Sequence, residues 1–198
     1  MKLICMDLDG CIAEAPMIEL VAMDSGGTIK ENGFNLLPEL KERFDWLRSQ
    51  GVKLAVVSGR DPLGVLYFIH RSQFIFDYIG TGGGGIMVSP DPTKPISELF
   101  NHQETIESIY NGRGKADRFL RIKQLVGCSD DEMILIDDNP HPDRDIHEIP
   151  QKLKCHFASP ATNNEQWKNI VRSREGFVSN LPCGRGVLEI LNHHFGSQ

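Results

Sequence analysis

Basic runs are missing from this sequence. Lys and Arg number 21 against 27 Asp and Glu, the formal net charge is −6, and no Lys/Arg-rich stretch occurs. Nucleic acid and anionic lipid are recognised largely through clustered cations, so neither a nucleic-acid partner nor a membrane partner is expected. Long hydrophobic runs are also missing. One Lys and four apolar residues, Leu3, Ile4, Cys5 and Met6, precede Asp7, far short of a signal-peptide core. The five cysteines, Cys5, Cys11, Cys128, Cys155 and Cys183, are an odd number with neither CxxC nor Cys/His ligand spacing. A disulfide framework or zinc site is therefore not expected, and a reducing cytoplasm is the natural setting. His141, His147, His156, His193 and His194 are scattered and read as surface or loop residues rather than a ligand set. Internal repeats and long low-complexity segments are absent.

What is present is an ordinary globular composition. Across 198 residues, 40% are hydrophobic and 24% charged, too apolar for a disordered chain and of a length that suits one domain with a sizeable core. Short apolar runs alternate with amphipathic stretches. Residues 3–6, 52–57, 76–79, 133–136 and 155–158 read as buried strands, and residues 37–49, 62–70, 116–126, 164–173 and 186–194 as helices. Asp61-Pro62 supplies an N-cap followed by proline at the first helical position. The alternation predicts an α/β doubly wound, Rossmann-like parallel sheet, with its active site at the carboxyl ends of the strands.

Two segments break the alternation. Residues 12–33 hold two extended arms around Asp24-Ser25-Gly26-Gly27, which predicts a β-hairpin flap. Residues 81–114 open on the glycine run Gly82, Gly83, Gly84 and Gly85, continue through Ile86-Met87-Val88 and a Pro-rich bend, and end in an expected helix over 96–110. They read as a small insertion, with no large cap domain. The glycine run lacks the GxxxxGK[ST] context of a phosphate cradle and reads as a mobile or tightly turned connection.

Three groups of residues carry chemistry. Met6-Asp7-Leu8-Asp9-Gly10-Cys11 comes directly off the first apolar run; alternation puts Asp7 and Asp9 on one face if the strand continues, and Gly10 permits a sharp turn. A plain acidic turn would give the same residues. Val57-Ser58-Gly59-Arg60-Asp61-Pro62 ends a strand with a hydroxyl and enters a helix, either as an ordinary connection or as a presenter of O–H and N–H donors to phosphate. Ile136-Asp137-Asp138-Asn139-Pro140-His141-Pro142-Asp143 brings three more carboxylates to a strand end. Upstream, Arg113-Gly114-Lys115 opens a helix whose first turn could aim Lys115 at the same face.

Taken in order, these motifs resemble those of the haloacid dehalogenase-like (HAD) hydrolases, which place DxDG after the first strand, Ser/Thr after the second, Lys before the fourth and an acidic pair after it. The resemblance runs from about residue 3 to 143. It implies Asp7 as nucleophile, Asp9 as general acid/base, Ser58, Gly59 and Lys115 around the phosphate, and Asp7, Asp9 and Asp138 at a Mg²⁺ ion. Asp137 and Asp143 stay open as further metal candidates. Cys11 departs from the Thr or Val more usual there. The flap is also similar to that of the nearly capless, tetrameric 3-deoxy-octulosonate phosphate phosphatases, and residues 77–88 and 184–189 faintly resemble Cof-type sugar phosphatases.

The chemistry makes its own demands. Like charges about 4 Å apart repel by roughly 4 kcal/mol at an effective dielectric near 20, so gathering Asp7, Asp9 and Asp138 requires a cation, and hard oxygen ligands suit Mg²⁺. The expected activity is Mg²⁺-dependent hydrolysis of a phosphate monoester through an aspartyl-phosphate, on a small phosphorylated metabolite such as a sugar or sugar-acid phosphate. A phosphoprotein or other large substrate, or a non-catalytic binding module of the same fold, are the alternatives. The apolar flap residues Ile18, Leu20, Val21 and Met23 need a second surface, either the chain's own core or another copy in a homo-oligomer.

Overall fold

The computed structural model describes residues 1–13, 22–23, 29–30, 37–82, 85–95, 98, 105–107 and 114–197. Its strands are β1 (Leu3–Met6), β2 (Ala22–Met23), β3 (Ile29–Lys30), β4 (Lys53–Val57), β5 (Tyr78–Thr81), β6 (Gly85–Val88), β7 (Thr105–Glu107), β8 (Met133–Ile136), β9 (His156–Ser159) and β10 (Phe177–Val178). Its helices are α1 (Pro38–Ser49), α2 (Pro62–Ser72), α3 (Lys115–Val126), α4 (Asp145–Lys152), α5 (Glu165–Ser173) and α6 (Cys183–Phe195). Eight strands form one sheet in the order β10-β9-β8-β1-β4-β5-β6-β7. From β10 to β5 every pairing is parallel; β6 and β7 add antiparallel neighbours at one edge.

The sheet is doubly wound. Ile4, Met6, Leu54 and Val56 pack with Leu40 and Phe44 of α1, Val65 and Phe68 of α2, and Val187 and Ile190 of α6. Leu3, Cys5, Ala55 and Val57 pack on the other face with Phe119 and Ile122 of α3, Ile149 of α4 and Trp167 of α5. Both faces are therefore covered, which is why β1 and β8 read as unbroken apolar runs instead of alternating ones. The chain moves from β1 outward to β4 and β5, then returns to β8 on the opposite side of β1. This makes β1/β8 the switch point, where α/β sheets open a crevice at their carboxyl ends.

Local signals set the helix starts. The Asp61 carboxylate accepts from Gly64 N at 2.9 Å ahead of Pro62, and Asn164 Oδ1 accepts from Trp167 N at 2.9 Å. Strand and helix bounds fall within a few residues of the sequence expectations, and β6, β7, β10 and α4 are additional. Helix α4 contains Pro150, which interrupts its period, and β10 has only two residues, too few to show alternation.

The helix expected over 96–110 is corrected. Thr105–Glu107 is a strand, pairing Ile86 with Glu107 and Met87 with Thr105. Thr105-Ile106 is a β-branched pair, stiff at χ1 and suited to a pleated edge. Residues 96–97, 99–104 and 108–110 lie outside the described residues, as do Gly83 and Gly84. In the flap, β2 and β3 pair antiparallel, Ala22 with Lys30 and Met23 with Ile29, as the two-armed pattern predicts. Ile18, Leu20 and Val21 lie outside the described residues. Among the described residues, no helix is long and apolar enough to cross a membrane.

Candidate active site

Period-two alternation builds the centre of the site. Leu3 and Cys5 face the α3 side of the sheet, as do Met133 and Leu135, so continuing each strand by one step points Asp7 and Asp137 to that same side. Strand pairing continues too: Asp7 N donates to Ile136 O at 2.9 Å. Asp7 is 6% exposed and Asp137 fully buried. Lys115, the first residue of α3, meets both, with Nζ 2.7 Å from Asp7 Oδ2 and 3.2 Å from Asp137 Oδ2. Gly114 has no side chain with which to cap α3, and Asp145 supplies the missing acceptor, its Oδ1 taking Lys115 N at 3.1 Å.

The second acid of the pair is reached by a turn. Gly10 adopts φ +75°, and a Cβ there would overlap the Asp138 carboxylate, so a residue without a side chain is required on both counts. Cys11 points its thiol at Asp138 Oδ1 and at the Ile136 carbonyl, 3.9 Å from each. The acidic loop is also tied to α5: Trp167 Nε1 donates to Asp137 O at 2.7 Å, and Asn164 Nδ2 to Asn139 Oδ1 at 2.8 Å.

Asp7, Asp137 and Asp138 each present an oxygen within 4.8 Å of the others. Burial, reinforced by the Asp137 charge and opposed by Lys115, lifts Asp7 to about 7. Burial, with the charge of Asp7, lifts Asp138 to about 6, and burial also raises Asp137. Burial disfavours the Lys115 charge, yet Asp137 and Asp7 more than offset this and hold the ammonium well above its ordinary value. One lysine is shared among three carboxylates whose ionisation is disfavoured. A hard divalent cation fits this set, because it accepts several carboxylate oxygens and relieves their repulsion.

The other sequence candidates are placed differently. Asp9 does not belong to the three-carboxylate group; its two oxygens accept from Arg60, Nε to Oδ2 at 2.7 Å and Nη2 to Oδ1 at 2.8 Å. Asp143 is exposed and outside that group. Ser58 is 1% exposed, and its Oγ accepts from Arg60 N at 3.1 Å, leaving the hydroxyl proton to donate. Gly59 lines the cleft. Gly82 lies against the same turn: its N donates to Arg60 O at 2.7 Å, and a Cβ would overlap the Gly59 carbonyl oxygen. The first glycine of the run thus permits close backbone approach.

A cleft of about 620 Å³ is lined by Asp7, Asp9, Gly59, Arg60, Lys115, Arg118, Asn139, His141, Pro142, Arg144 and Asp145. Arg60, Arg118, Arg144, Asp145 and His141 were not assigned to the site by sequence reasoning. One signal was available: Arg118 follows Lys115 by three positions, on the same helix face. His141, expected as an ordinary loop residue, is exposed and borders the cleft.

No family model matches the chain. A Bacillus subtilis (strain 168) protein, YxeH, which carries a provisional phosphatase designation, is 24% identical over 97 residues, 48% of this chain and 36% of the relative. The match thus spans about a third of that relative's length. Among solved structures, a Streptomyces avermitilis protein provisionally assigned to the HAD hydrolases superposes with a TM-score of 0.61 at 13% identity, covering 99% of this chain and 91% of that one. The 3-deoxy-D-manno-octulosonate 8-phosphate phosphatase of Moraxella catarrhalis, solved with magnesium, phosphate and the sugar acid, superposes with a TM-score of 0.59 at 16% identity, covering 98% and 84%. The chain shares the fold of these hydrolases.

Proposed function

We propose that the chain is a Mg²⁺-dependent phosphohydrolase that cleaves phosphate monoesters through an aspartyl-phosphate. One observation carries this reading: the Lys115 ammonium lies 2.7 Å from the Asp7 carboxylate, beside Asp137 and Asp138, in a cleft at the sheet's switch point. A buried carboxylate next to a fixed cation is a nucleophile already beside the charge that its phosphoryl target needs.

In the first half-reaction, an Asp7 Oδ atom bonds to phosphorus while the bond from phosphorus to the ester oxygen breaks, and Asp9 gives that oxygen a proton. In the second, Asp9 takes a proton from a water that attacks phosphorus, and the bond to Asp7 breaks. Lys115, the Ser58 hydroxyl and the backbone at Gly59 hold the transferring oxygens. Mg²⁺, held by Asp7 and Asp138 with Asp137 beside them, would neutralise carboxylate and phosphoryl charge. The resemblance implies Asp9 at the metal as well; in this scheme its side chain carries the proton.

The substrate class is a small phosphorylated metabolite, a sugar or sugar-acid phosphate. A cleft of about 620 Å³ is of the size that takes small ligands, and the Moraxella relative supports the sugar-acid choice. Phosphate release from a panel of phosphorylated metabolites, with Mg²⁺ and with a chelator, tests the reading. Turnover only with metal is expected; no turnover of any member, or equal rates in chelator, would overturn it.

A further inference from the structure

The Arg60–Asp9 fork is unexplained by the scheme above, because an acid/base group whose two oxygens accept from a guanidinium is engaged elsewhere. We propose that Arg60 is a phosphate-binding residue whose resting partner is Asp9: the arriving phosphoryl group draws the guanidinium off Asp9, and the freed carboxylate takes up a proton from water that it then gives to the leaving oxygen. The proposal rests on the phosphatase reading and deepens it.

Three observations support the exchange. The fork that Arg60 offers Asp9, two parallel N–H donors, is the one that phosphate accepts equally well, and a phosphate dianion carries more charge than a carboxylate. The pair is also placed where it can open. Its side chains are 21% and 33% exposed to the cleft, against 10% and 9% for Lys115 and Asp7, so water can compete for the first pair and scarcely for the second. Finally, the Arg60 backbone is fixed at both ends, its N on Ser58 Oγ and its O under Gly82 N. The exchange then needs rotation of one side chain and no movement of the turn that carries Ser58.

A double-mutant cycle with inorganic phosphate separates this from plain electrostatics. Calorimetric titration with saturating Mg²⁺ would be run on wild type, Asp9→Ala, Arg60→Ala and the double variant, with melting curves confirming that each is folded. Asp9→Ala is expected to bind phosphate about fivefold to tenfold tighter, because Arg60 is no longer occupied, and Arg60→Ala about tenfold weaker. The double variant should match Arg60→Ala. If Asp9→Ala tightens binding as much without Arg60 as with it, Asp9 merely repels anions and the exchange is wrong. Arg60→Lys keeps the charge and loses the fork, so wild-type affinity in that variant would also overturn it. Turnover of p-nitrophenyl phosphate by the wild type reports the underlying reading separately. Turnover with an additive cycle sinks the exchange alone, a coupled cycle without turnover sinks the phosphatase reading alone, and a wild type that binds no phosphate sinks both.

Discussion

Replacing Asp138 with Asn should make the metal-free protein more stable and the metal-bound protein less so. Asp138 is raised from 3.8 to about 6, by burial and by the Asp7 charge. A raised acid favours its protonated form in the folded state, so its contribution is fully present below pH 3.8 and is lost as pH rises through about 6. At pH 8 the folded protein therefore carries an ionised Asp138 at a cost of about 3 kcal/mol, two units at roughly 1.4 kcal/mol each. At pH 5 the cost is roughly half of that, and at pH 4 it is well below 1 kcal/mol. Asn keeps the shape and never ionises. It weakens the contact with the Cys11 thiol, so a net gain of about 2 kcal/mol is expected at pH 8, or roughly 4–8 °C in Tm for a chain of this size. Mg²⁺ reverses the order: at one hundred times its Kd it adds about 2.7 kcal/mol to the wild type and much less to the variant. Differential scanning fluorimetry at pH 5 and pH 8, with Mg²⁺ and with chelator, reads all four conditions. A stability gap independent of pH, or equal Mg²⁺ shifts in both proteins, would refute the assignment of Asp138 to the cation.

Asp7→Asn should abolish phosphate release while the circular dichroism spectrum stays native, since it removes the nucleophilic charge and keeps the side-chain volume; residual turnover near the wild-type rate would exclude covalent catalysis by Asp7. Gly82→Ala places a methyl group against the Gly59 carbonyl, so the turn bearing Ser58 must shift; a loss of about 1–3 kcal/mol in denaturant unfolding is expected, with a rise in KM, and wild-type values for both would show that the turn yields freely. His194 is lowered to about 4 by burial and then by His193 and His156. Its contribution is thus present above pH 6.5 and lost as pH falls towards 4; after discounting for its partial exposure, His194→Gln should remove about 1–2 kcal/mol of acid sensitivity across that window, read as the pH dependence of the Tm difference between the two proteins.

The strands and the acidic residues at their ends were legible because a sheet covered on both faces needs unbroken apolar runs, and the acidic groups of the cleft sit where such runs stop. β1 and β8 match the sequence expectation at both ends. The expected helix over 96–110 failed at Thr105–Glu107, where pairing with β6 decides the conformation and local periodicity does not. Arg60 stood in view beside Ser58 and Gly59, but its partner Asp9 is 51 positions away, and no spacing rule links residues at the ends of two different strands.

Asp137 and Asp143 stayed open in the sequence, yet the information that separates them was present in the strand itself. Once Lys115 begins a helix on one face of the sheet, only residues of one parity can meet it. Leu3, Cys5, Met133 and Leu135 all face α3, so Asp7 and Asp137 inherit that direction, whereas Asp138 has the opposite parity and its carboxylate packs where Gly10 has no side chain. Asp143 lies beyond Pro140 and Pro142, where the strand has ended and parity no longer carries a direction. Neutralising each acid in turn tests the logic directly. Asp137→Asn should lower the pKa of Asp7, by removing a like charge that raises it, and shift Tm with pH; Asp143→Asn should do neither. A carboxyl chemical-shift titration of Asp7 that responds to Asp143→Asn, or ignores Asp137→Asn, would contradict it.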